Sequence, residues 1–496
     1  MVMKVSVVGA GFGGLSAAAL LAKDGFDVTV FEKNEQPGGR GSVYKEDGFT
    51  FDMGPSWYLM PDIFERFFAE FEKTPEDMYK LDRLDPHYRI YFGDGTDLDV
   101  SKDLEQNYSL FDTLEEDGGK KLREYLDSAE EKYEVSMKEL MYRDYNSLLD
   151  FFNRDLLAGG VQLPMIFESL DRFVNGYFDS DKAKKIVEYS IGFLGGSPKI
   201  TPALYHIMSY IDFKLGVWFP KGGIGVVARS IHDLAVSHGA EFRFNEPVTK
   251  IEVEDKKATG VVTAEGTHDA DVVVVNADYP HAEINLLDRK YQTYTEKYWK
   301  KKMLAPSAFI AYLGFNRRLD KIAHHTLFLD KDWEKGFDEL FVREDGTWPK
   351  SPSYYINSPS RTDPELFAPE GCETVFLLVP VAPGLEDSEE IRERFLNQIM
   401  DDLEGRLGEK IRDDIILKRI FTVNDFSERY NAYMGTALGI THTLMQTAVF
   451  RPHHISKKVK NLYYTGQYTH PGIGVPMTLI SSQIVAEEIN EAFGKD

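Results

Sequence analysis

The chain has 496 residues, of which 43% are hydrophobic, and this predicts two or three domains around a large core. A formal net charge of −24 argues against nucleic-acid binding, which needs a basic face, and against simple electrostatic docking on an anionic bilayer. The one cysteine, Cys372, excludes an internal disulfide and a cysteine metal cluster, and we expect it to fill space in a strand. The twelve histidines lack metal-ligand spacing, so no metal is expected, and His324–His325 and His453–His454 are predicted to lie in loops.

The first forty residues follow the order of a dinucleotide-binding fold. An apolar strand at 5–8 leads into a glycine-rich turn and a helix of small residues at 15–22, and a second strand at 28–31 ends on Glu32. Because the uncharged run contains several glycines and a strand follows it at once, we interpret it as this fold and not as a signal peptide or membrane anchor. The protein is therefore expected in the cytoplasm.

Each glycine of this turn has a predicted task. Gly9 allows the tight turn, Gly11 lets the backbone approach a pyrophosphate, and Gly14 lets the helix pack closely on the strand. The helix N-terminus presents free N–H groups and a partial positive charge to the phosphates. Glu32 is spaced to accept hydrogen bonds from the hydroxyls of an adenosine ribose. The turn thus predicts a bound dinucleotide.

The next motif distinguishes FAD from NAD. The sequence Gly38-Gly39-Arg40 gives a second close backbone approach and places a fixed guanidinium beside a diphosphate or a flavin edge. An alternating strand at 49–55 follows. These residues resemble the GGR motif of the flavoprotein superfamily of amine oxidases, protoporphyrinogen oxidases and carotenoid desaturases, which NAD enzymes do not share. The resemblance implies FAD as the cofactor.

The rest of the chain predicts a substrate domain inserted into the nucleotide fold. Helices are predicted at 61–71, within the helical pattern of 103–180, from Pro202 onward, and at 222–238 and 388–407. Strands are predicted at 241–244, 247–251, 270–278, 309–315 and 374–380. The valine-rich run at 270–278 is typical of a buried parallel strand that ends at a ligand crevice. The predicted FAD-binding domain comprises 1–100, 216–300 and 456–496, and the predicted substrate domain comprises 101–215 and 301–455.

The C-terminal segment adds a second nucleotide-fold signal. A strand at 461–466 ends in glycine, a loop covers 467–475, and a helix starts at Pro476, a residue type suited to the first helical turn. If this helix N-terminus faces the flavin pyrimidine, it favours the negative charge of the reduced ring. An ordinary terminal strand–helix pair is the alternative.

Three spaced motifs narrow the resemblance to one family. The residues at 202–205, 216–223 and 465–476 resemble those of the bacterial-type phytoene and diapophytoene desaturases, and the similarity covers essentially the whole chain. The resemblance implies an α/β protein with a Rossmann-like FAD-binding domain of the GR2/amine-oxidase type and an inserted α+β substrate-binding domain. The FAD-lining residues that it implies are Gly9, Gly11, Gly14, Glu32, Gly39, Arg40, Gly54, Val248, Asp278, Gly466, Val475 and Pro476. Many relatives have an acid or an alanine at the position of Gln467. This difference is expected to alter one contact with the flavin ribityl chain.

The family resemblance also implies the chemistry, which is the insertion of conjugated double bonds into a phytoene-like C40 or C30 polyene by hydride transfer to flavin N5. Such a hydrocarbon needs a long apolar tunnel. The candidate lining residues are Tyr205, Met208, Tyr210, Phe213, Trp218 and Phe219, although core packing explains each of them equally well. His470 is the catalytic candidate because it is the ionisable residue expected beside the flavin, while a structural loop histidine is the favoured alternative. The polyene length, the number of steps and the electron acceptor, oxygen or a quinone, stay open.

Three other interpretations share the same motifs. An amine oxidase needs a site for a cationic amine, and the sequence shows no dedicated one. A geranylgeranyl reductase also uses FAD and prenyl chains, but the GGR motif fits that group less well. A non-enzymatic prenyl-binding escort protein, like the Rab GDP-dissociation inhibitors, lacks bound flavin, whereas this chain keeps every FAD motif. A flavin spectrum of the purified protein separates enzyme from escort protein.

One segment predicts contact with a membrane. Residues 297–304 form the densest basic cluster of the chain and include Tyr298 and Trp299, which suit the headgroup level of a bilayer. We therefore hypothesise that this segment docks peripherally and surrounds the tunnel mouth, with a solvated helix face as the equally weighted alternative. The expected location is cytoplasmic with peripheral membrane association.

Overall fold

The computed structural model describes residues 2–143, 165, 167–329, 333–341 and 346–494. Part of the helical pattern predicted over 103–180 lies outside these described residues. The α-helices are Phe12–Lys23, Pro61–Ala69, Pro75–Met78, Leu104–Leu114, Gly118–Glu139, Leu170–Asn175, Asp181–Glu188, Ile207–Tyr210, Ile224–Ser237, Tyr279–His281, Glu296–Trp299, Trp333–Phe341, Pro364–Phe367, Glu389–Leu407, Val423–Tyr430 and Val475–Phe493.

Five parallel strands from distant parts of the chain form one sheet. Their order across the sheet is Leu462–Tyr464, Val272–Val275, Lys4–Val8, Asp27–Phe31 and Glu241–Arg243. Alternate side chains face opposite sides of this sheet and enter two different apolar clusters, as the twofold period of a strand requires. The helix Phe12–Lys23 packs between Ile224–Ser237 and Val475–Phe493. The chain therefore builds a doubly covered parallel sheet, which confirms the predicted Rossmann-like core.

A second, seven-stranded sheet supplies the other half of the molecule. Its strands, in spatial order, are Ile415–Phe421, Ser307–Phe315, Glu373–Val381, Tyr354–Asn357, His325–Leu329, Tyr88–Phe92 and Asp97–Val100. All pairs are antiparallel except the pair formed by His325–Leu329 and Tyr88–Phe92. Two of its strands thus come from residues before the boundary predicted at position 100, and the domain division itself stays a prediction.

Smaller sheets complete the strand inventory. Antiparallel strands Lys250–Glu254, Lys257–Thr263 and Gly266–Asp269 form a three-stranded sheet, and two-stranded ribbons pair Val43–Glu46 with Phe49–Asp52 and Leu81–Arg83 with Trp218–Pro220. The strand predicted at 49–55 therefore ends at Asp52, before the glycine and proline that follow it. None of the helices in the described ranges is both long enough and apolar enough to cross a bilayer.

Three local predictions are corrected by the structure. His325 is not a loop residue, because it begins the strand His325–Leu329. Its side chain is fully buried and stacks on an aromatic ring. Cys372 lies just before the strand Glu373–Val381 and not within it. The helix predicted from Pro202 is a succession of short turns that ends in a π-helical turn, Ile211–Leu215.

Candidate active site

One continuous cavity of about 650 Å³ joins the glycine turn of the parallel sheet to an apolar chamber under the seven-stranded sheet. The predicted cofactor residues that line it are Gly9, Gly11, Glu32, Gly39, Arg40, Gly54, Val248, Asp278, Gly466, Val475 and Pro476. These residues come from six separate stretches of the chain, and most of them lie just beyond the carboxyl ends of the strands of the parallel sheet. This is the location at which open α/β sheets bind ligands.

The glycine turn has the close packing that a pyrophosphate site needs. Gly9 has a φ of +99° and donates its N–H to the Phe31 carbonyl at 2.8 Å. Gly14 does not line the cavity, but a Cβ there would lie 2.0 Å from the Gly9 carbonyl oxygen. The absent side chain therefore lets the helix Phe12–Lys23 lie directly on the strand before it. The helix N-terminus then faces the cavity with its first N–H groups.

Glu32 presents a buried carboxylate at the end of the second strand. It is 5% exposed, and it accepts hydrogen bonds from the Ala10 N–H at 2.7 Å and from the Asn34 N–H at 2.8 Å. The hydrogen bonds lower the pKa of this carboxyl group, but burial raises it by more, so the net shift is upward. The Asn34 side-chain amide also donates to this carboxylate at 2.9 Å, so about one of its roughly four acceptor positions remains for a ribose hydroxyl. The residue thus fits an adenosine of FAD.

Arg40 presents unused donors to the same cavity. Its Nε and one terminal nitrogen are buried and have no hydrogen-bond partner among the described residues, and its guanidinium carbon lies 5.4 Å from the Tyr430 ring centroid. Gln467 Nε2 is likewise a buried donor without a partner in the described segments. Orphaned buried donors are costly unless a ligand accepts from them. A diphosphate supplies such acceptors for Arg40, and Gln467 offers a further donor to another part of FAD.

Replacement of Arg40 by lysine tests this fit. Lysine keeps the positive charge but loses the planar, forked donor geometry. We expect Arg40→Lys to fold normally and to bind FAD about tenfold to a hundredfold more weakly, since a hydrogen bond to a charged group contributes about 1.5–3 kcal/mol. Equilibrium titration of the apoprotein with FAD measures this. The control is Arg317→Lys, because Arg317 pairs with Asp414 at 2.7 Å at the surface; equal FAD affinity in Arg40→Lys and wild type would contradict the role.

Asp278 and the N-terminus of the C-terminal helix also line the cavity. The Asp278 carboxylate is buried, accepts a hydrogen bond from the Tyr468 hydroxyl at 2.8 Å, and has a pKa raised to about 6 because burial outweighs the nearby Arg40 charge. Gly466 donates its N–H to Ser481 Oγ at 3.0 Å, which ties the loop to the helix Val475–Phe493. The N-terminal residues of this helix line the cavity, so its positive dipole end is available to a flavin pyrimidine there.

The predicted tunnel residues separate into two groups. Tyr205 and Met208 line the cavity. The other four do not line it in the described structure: Tyr210 packs on Tyr133, Phe213 lies in the core against Phe111, Trp218 donates its N–H to the Leu215 carbonyl at 2.9 Å, and Phe219 packs on His324 and Phe367.

Sequence reasoning missed the largest part of the apolar wall. One row of side chains crosses four neighbouring strands of the seven-stranded sheet and faces the cavity: Ile310, Leu378, Tyr355 and Leu327. Trp57 adds an indole that stacks on His325 with centroids 4.0 Å apart and an interplanar angle of 7°. The position of Trp57 two residues after the Gly54-Pro55 pair is the one signal that the sequence offered.

His470 lies in the cavity wall but faces backbone carbonyls. It is 7% exposed, and its Nε2 lies 3.1 Å from the Leu140 carbonyl and 3.2 Å from that of Met141. An Nε2–H donated to these carbonyls fixes the ring and anchors the loop to the end of the helix Gly118–Glu139. This geometry supports the structural interpretation, and a catalytic role for His470 stays a prediction.

The basic segment differs from its predicted arrangement. Trp299 is fully buried and packs against Tyr279, Tyr294 and Tyr468. The hypothesis that its side chain contacts lipid headgroups is therefore wrong. Lys300 is exposed and pairs with Glu296 at 2.8 Å. The aromatic side chain that suggested an interfacial anchor therefore belongs to the core behind the parallel sheet.

A family model described as flavin containing amine oxidoreductase matches residues 12–490, and the chain belongs to that family. Within it, the chain belongs to the carotenoid desaturases. It is 46% identical to a carotenoid 3,4-desaturase of Haloarcula japonica over 98% of each chain. It is 34% identical to a 4,4'-diapophytoene desaturase of Staphylococcus haemolyticus over 99% of each chain. Among solved structures, an oxidoreductase from Methanosarcina mazei has the same fold, with a TM-score of 0.63 and 18% identity over 98% of this chain and all of that one.

The family and the site geometry agree on the cofactor. FAD is the cofactor of this protein, and the orphaned donors of Arg40 and Gln467, the helix N-termini and Glu32 are the groups that fit it. The desaturase relatives cover nearly the whole chain, which confirms the carotenoid desaturase resemblance and the oxidoreductase class.

Proposed function

We propose that the protein uses bound FAD to insert conjugated double bonds into a C40 or C30 carotenoid precursor. The observation that carries this proposal is the single cavity that joins the phosphate-binding groups to an apolar chamber. The names of its relatives, which include a phytoene desaturase of Myxococcus xanthus at 34% identity, support a polyene substrate. A chamber lined by Met208, Leu327 and Leu378 offers a hydrocarbon chain dispersion contacts and removal from water.

The chain's own residues bind and orient the substrate. FAD supplies the acceptor for the hydride that leaves an allylic carbon. The row from Ile310 to Leu327 and the segment that carries Tyr205 and Met208 both line the cavity, and their side chains confine a rod-like polyene and keep bulk water from it. The cation that forms on a long conjugated chain is delocalised and loses its vicinal proton readily, so a weak acceptor such as water at the cavity mouth takes that proton and no protein base is demanded. His442, which lines the cavity, has a pKa lowered to about 3 by burial and adds no charge there at neutral pH.

The charges of the cavity disfavour an amine oxidase. Among the described residues that line the cavity, the acidic ones are Glu32 and Asp278, and both belong to the cofactor end. A cationic amine in the apolar chamber therefore meets no carboxylate there, and its burial without a partner is costly. A neutral hydrocarbon carries no such cost.

Product analysis tests the proposed function. The gene is expressed in a bacterial host that makes phytoene and, separately, in one that makes diapophytoene, and the pigments are separated by chromatography with absorption spectra. The expected result is a carotenoid with a longer conjugated system in at least one host, and purified protein that carries flavin. Unchanged pigment in both hosts and in hosts supplied with partly desaturated or hydroxylated carotenoids would contradict the proposal.

We also infer peripheral contact with a membrane through exposed lysines at the cavity rim. Lys297, Lys300 and Lys301 are exposed, and the adjoining Met303 backbone is held by the Gln446 side chain at 2.9 Å. Met445, next to this contact, is 62% exposed, and Thr447 and Ala448 of the same turn line the cavity. Cationic and apolar side chains therefore lie on segments joined to the cavity lining, and each lysine contributes up to about 1 kcal/mol of attraction to an anionic bilayer, Lys300 less than the others because it pairs with Glu296.

Liposome flotation checks this inference. A variant with Lys297→Glu, Lys300→Glu and Lys301→Glu is expected to float with anionic liposomes at least tenfold less than wild type, and the difference shrinks at high salt. The control variant reverses the charge of three exposed lysines elsewhere on the surface and so changes the net charge by the same amount. Its substitutions are Lys73→Glu, Lys80→Glu and Lys120→Glu. Equal flotation of the first variant and the control would contradict docking through this rim.

A further inference from the structure

Arg451 is a buried cation whose hydrogen-bond acceptors, among the described residues, are all backbone carbonyls. It is 3% exposed and donates to the carbonyls of Thr469 at 3.0 Å, Gln446 at 3.0 Å, Gln467 at 2.5 Å and Ile440 at 3.5 Å. Within the described segments, the groups that interact with it electrostatically are Tyr205, Tyr298, Tyr468, His442 and the half-buried Lys302, and none of these is a carboxylate. Burial lowers the pKa of this guanidinium to about 10, so it stays charged at neutral pH.

This charge lies directly behind the loop that precedes the C-terminal helix. Gly466, Gln467, Tyr468 and His470 of that loop line the cavity, whereas Arg451 does not. The guanidinium therefore faces the cavity across one layer of backbone. A buried charge without a counter-ion acts over such a distance with little screening, because water is excluded.

The carbonyl contacts also orient two peptide groups of the loop. In a trans peptide the C=O and the next N–H point in opposite directions. Since the carbonyls of Gln467 and Thr469 point at Arg451, the N–H groups of Tyr468 and His470 are turned away from it, toward the side on which the cavity lies. The positive end of the helix Val475–Phe493 opens at the same wall.

We propose that Arg451 is a positioning residue that makes this wall electropositive and thereby raises the reduction potential of the bound flavin. Reduction places negative charge on the pyrimidine side of the ring, and the guanidinium, the oriented peptide N–H groups and the helix N-terminus all stabilise that charge. The inference rests on the proposed function in one respect, which is that FAD occupies the cavity with its pyrimidine at this wall.

The test is the midpoint potential of the flavin in purified holoenzyme, measured against a reference dye in the absence of any carotenoid. R451Q removes the charge and is expected to lower the equilibrium constant for two-electron reduction by about tenfold, which corresponds to about 30 mV. R451K keeps the charge but cannot bridge four carbonyls, and a smaller decrease of about threefold is expected. Titration with FAD gives the affinity of each variant separately, so weaker binding is not mistaken for a shifted potential.

A second, partly buried guanidinium provides the control. Arg392 pairs with Asp387 at 2.7 Å and with Asp425 at 2.8 Å and does not line the cavity, so R392Q is expected to leave the potential unchanged. A wild-type potential in R451Q, or an equal decrease in R392Q, would overturn the proposal. If R451Q does not retain FAD, R451K decides: a lowered potential supports the proposal, and a wild-type potential overturns it. Because no polyene is present, failure here leaves the desaturase proposal intact, whereas a wild-type protein without flavin would overturn both.

Discussion

Replacing Gly14 by alanine is expected to destabilise the parallel-sheet domain by about 3 kcal/mol and to abolish retention of FAD. The added Cβ would lie 2.0 Å from the Gly9 carbonyl oxygen and 3.2 Å from the Asn276 Cβ. One neighbour is a backbone atom and the other a Cβ atom, and neither can rotate away, so the helix Phe12–Lys23 must move away from the strand. That movement displaces the helix N-terminus that faces the phosphates. Denaturant unfolding and the flavin content of the purified variant measure the two effects.

A second glycine within a helix serves as the matched control. Gly405 lies in the helix Glu389–Leu407, and a Cβ there meets nothing within 4 Å. Gly405→Ala is expected to leave stability unchanged or to raise it by up to about 1 kcal/mol, because alanine has the higher helix propensity. If the two variants unfold at the same denaturant concentration, the close packing at Gly14 does not matter for stability.

Filling the apolar chamber is expected to reduce carotenoid turnover by about a hundredfold without loss of flavin. Met208 lines the cavity on the segment that faces the seven-stranded sheet, so Met208→Trp places a larger ring where the polyene must lie. A displaced substrate no longer presents its allylic carbon to the flavin. Conversion of liposomal carotenoid, normalised to flavin content, measures the effect.

The neighbouring position tests whether location is decisive. Tyr210 lies two residues further along, packs on Tyr133 and does not line the cavity, so Tyr210→Trp is expected to retain near-normal turnover. Equal losses in both variants would show that the segment is sensitive to any change and that the chamber is not the substrate site.

The cofactor end of the cavity could be predicted because its signals are local. The turn from Gly9 to Gly14 and the GGR motif each specify a backbone conformation within a few residues, and the structure places all but Gly14 of the predicted cofactor residues at one cavity. Gly14 lies behind the wall in the packing role that its position in the motif predicts. Strand and helix positions in this part of the chain were correspondingly close to those observed.

The substrate end could not be predicted in the same way. The row from Ile310 to Leu327 forms only when strands from distant segments adopt one register, and no local pattern encodes that register. Trp299 shows the same limit, because its place beside lysines suggested exposure while tertiary packing buries it completely. Aromatic residues at 210–219 satisfied the expected composition, but the turns of that segment direct their side chains into the core.

The most direct test of the desaturase account is anaerobic reduction of the bound flavin by a carotenoid. Holoenzyme is mixed without oxygen with liposomes that contain phytoene, diapophytoene or a partly desaturated carotenoid, and the visible flavin absorbance is followed together with the pigment spectrum. The account predicts that the flavin absorbance bleaches as one new double bond appears per flavin reduced, and that Met208→Trp bleaches far more slowly. A flavin that stays oxidised with every one of these polyenes, in protein that dithionite reduces normally, would contradict it.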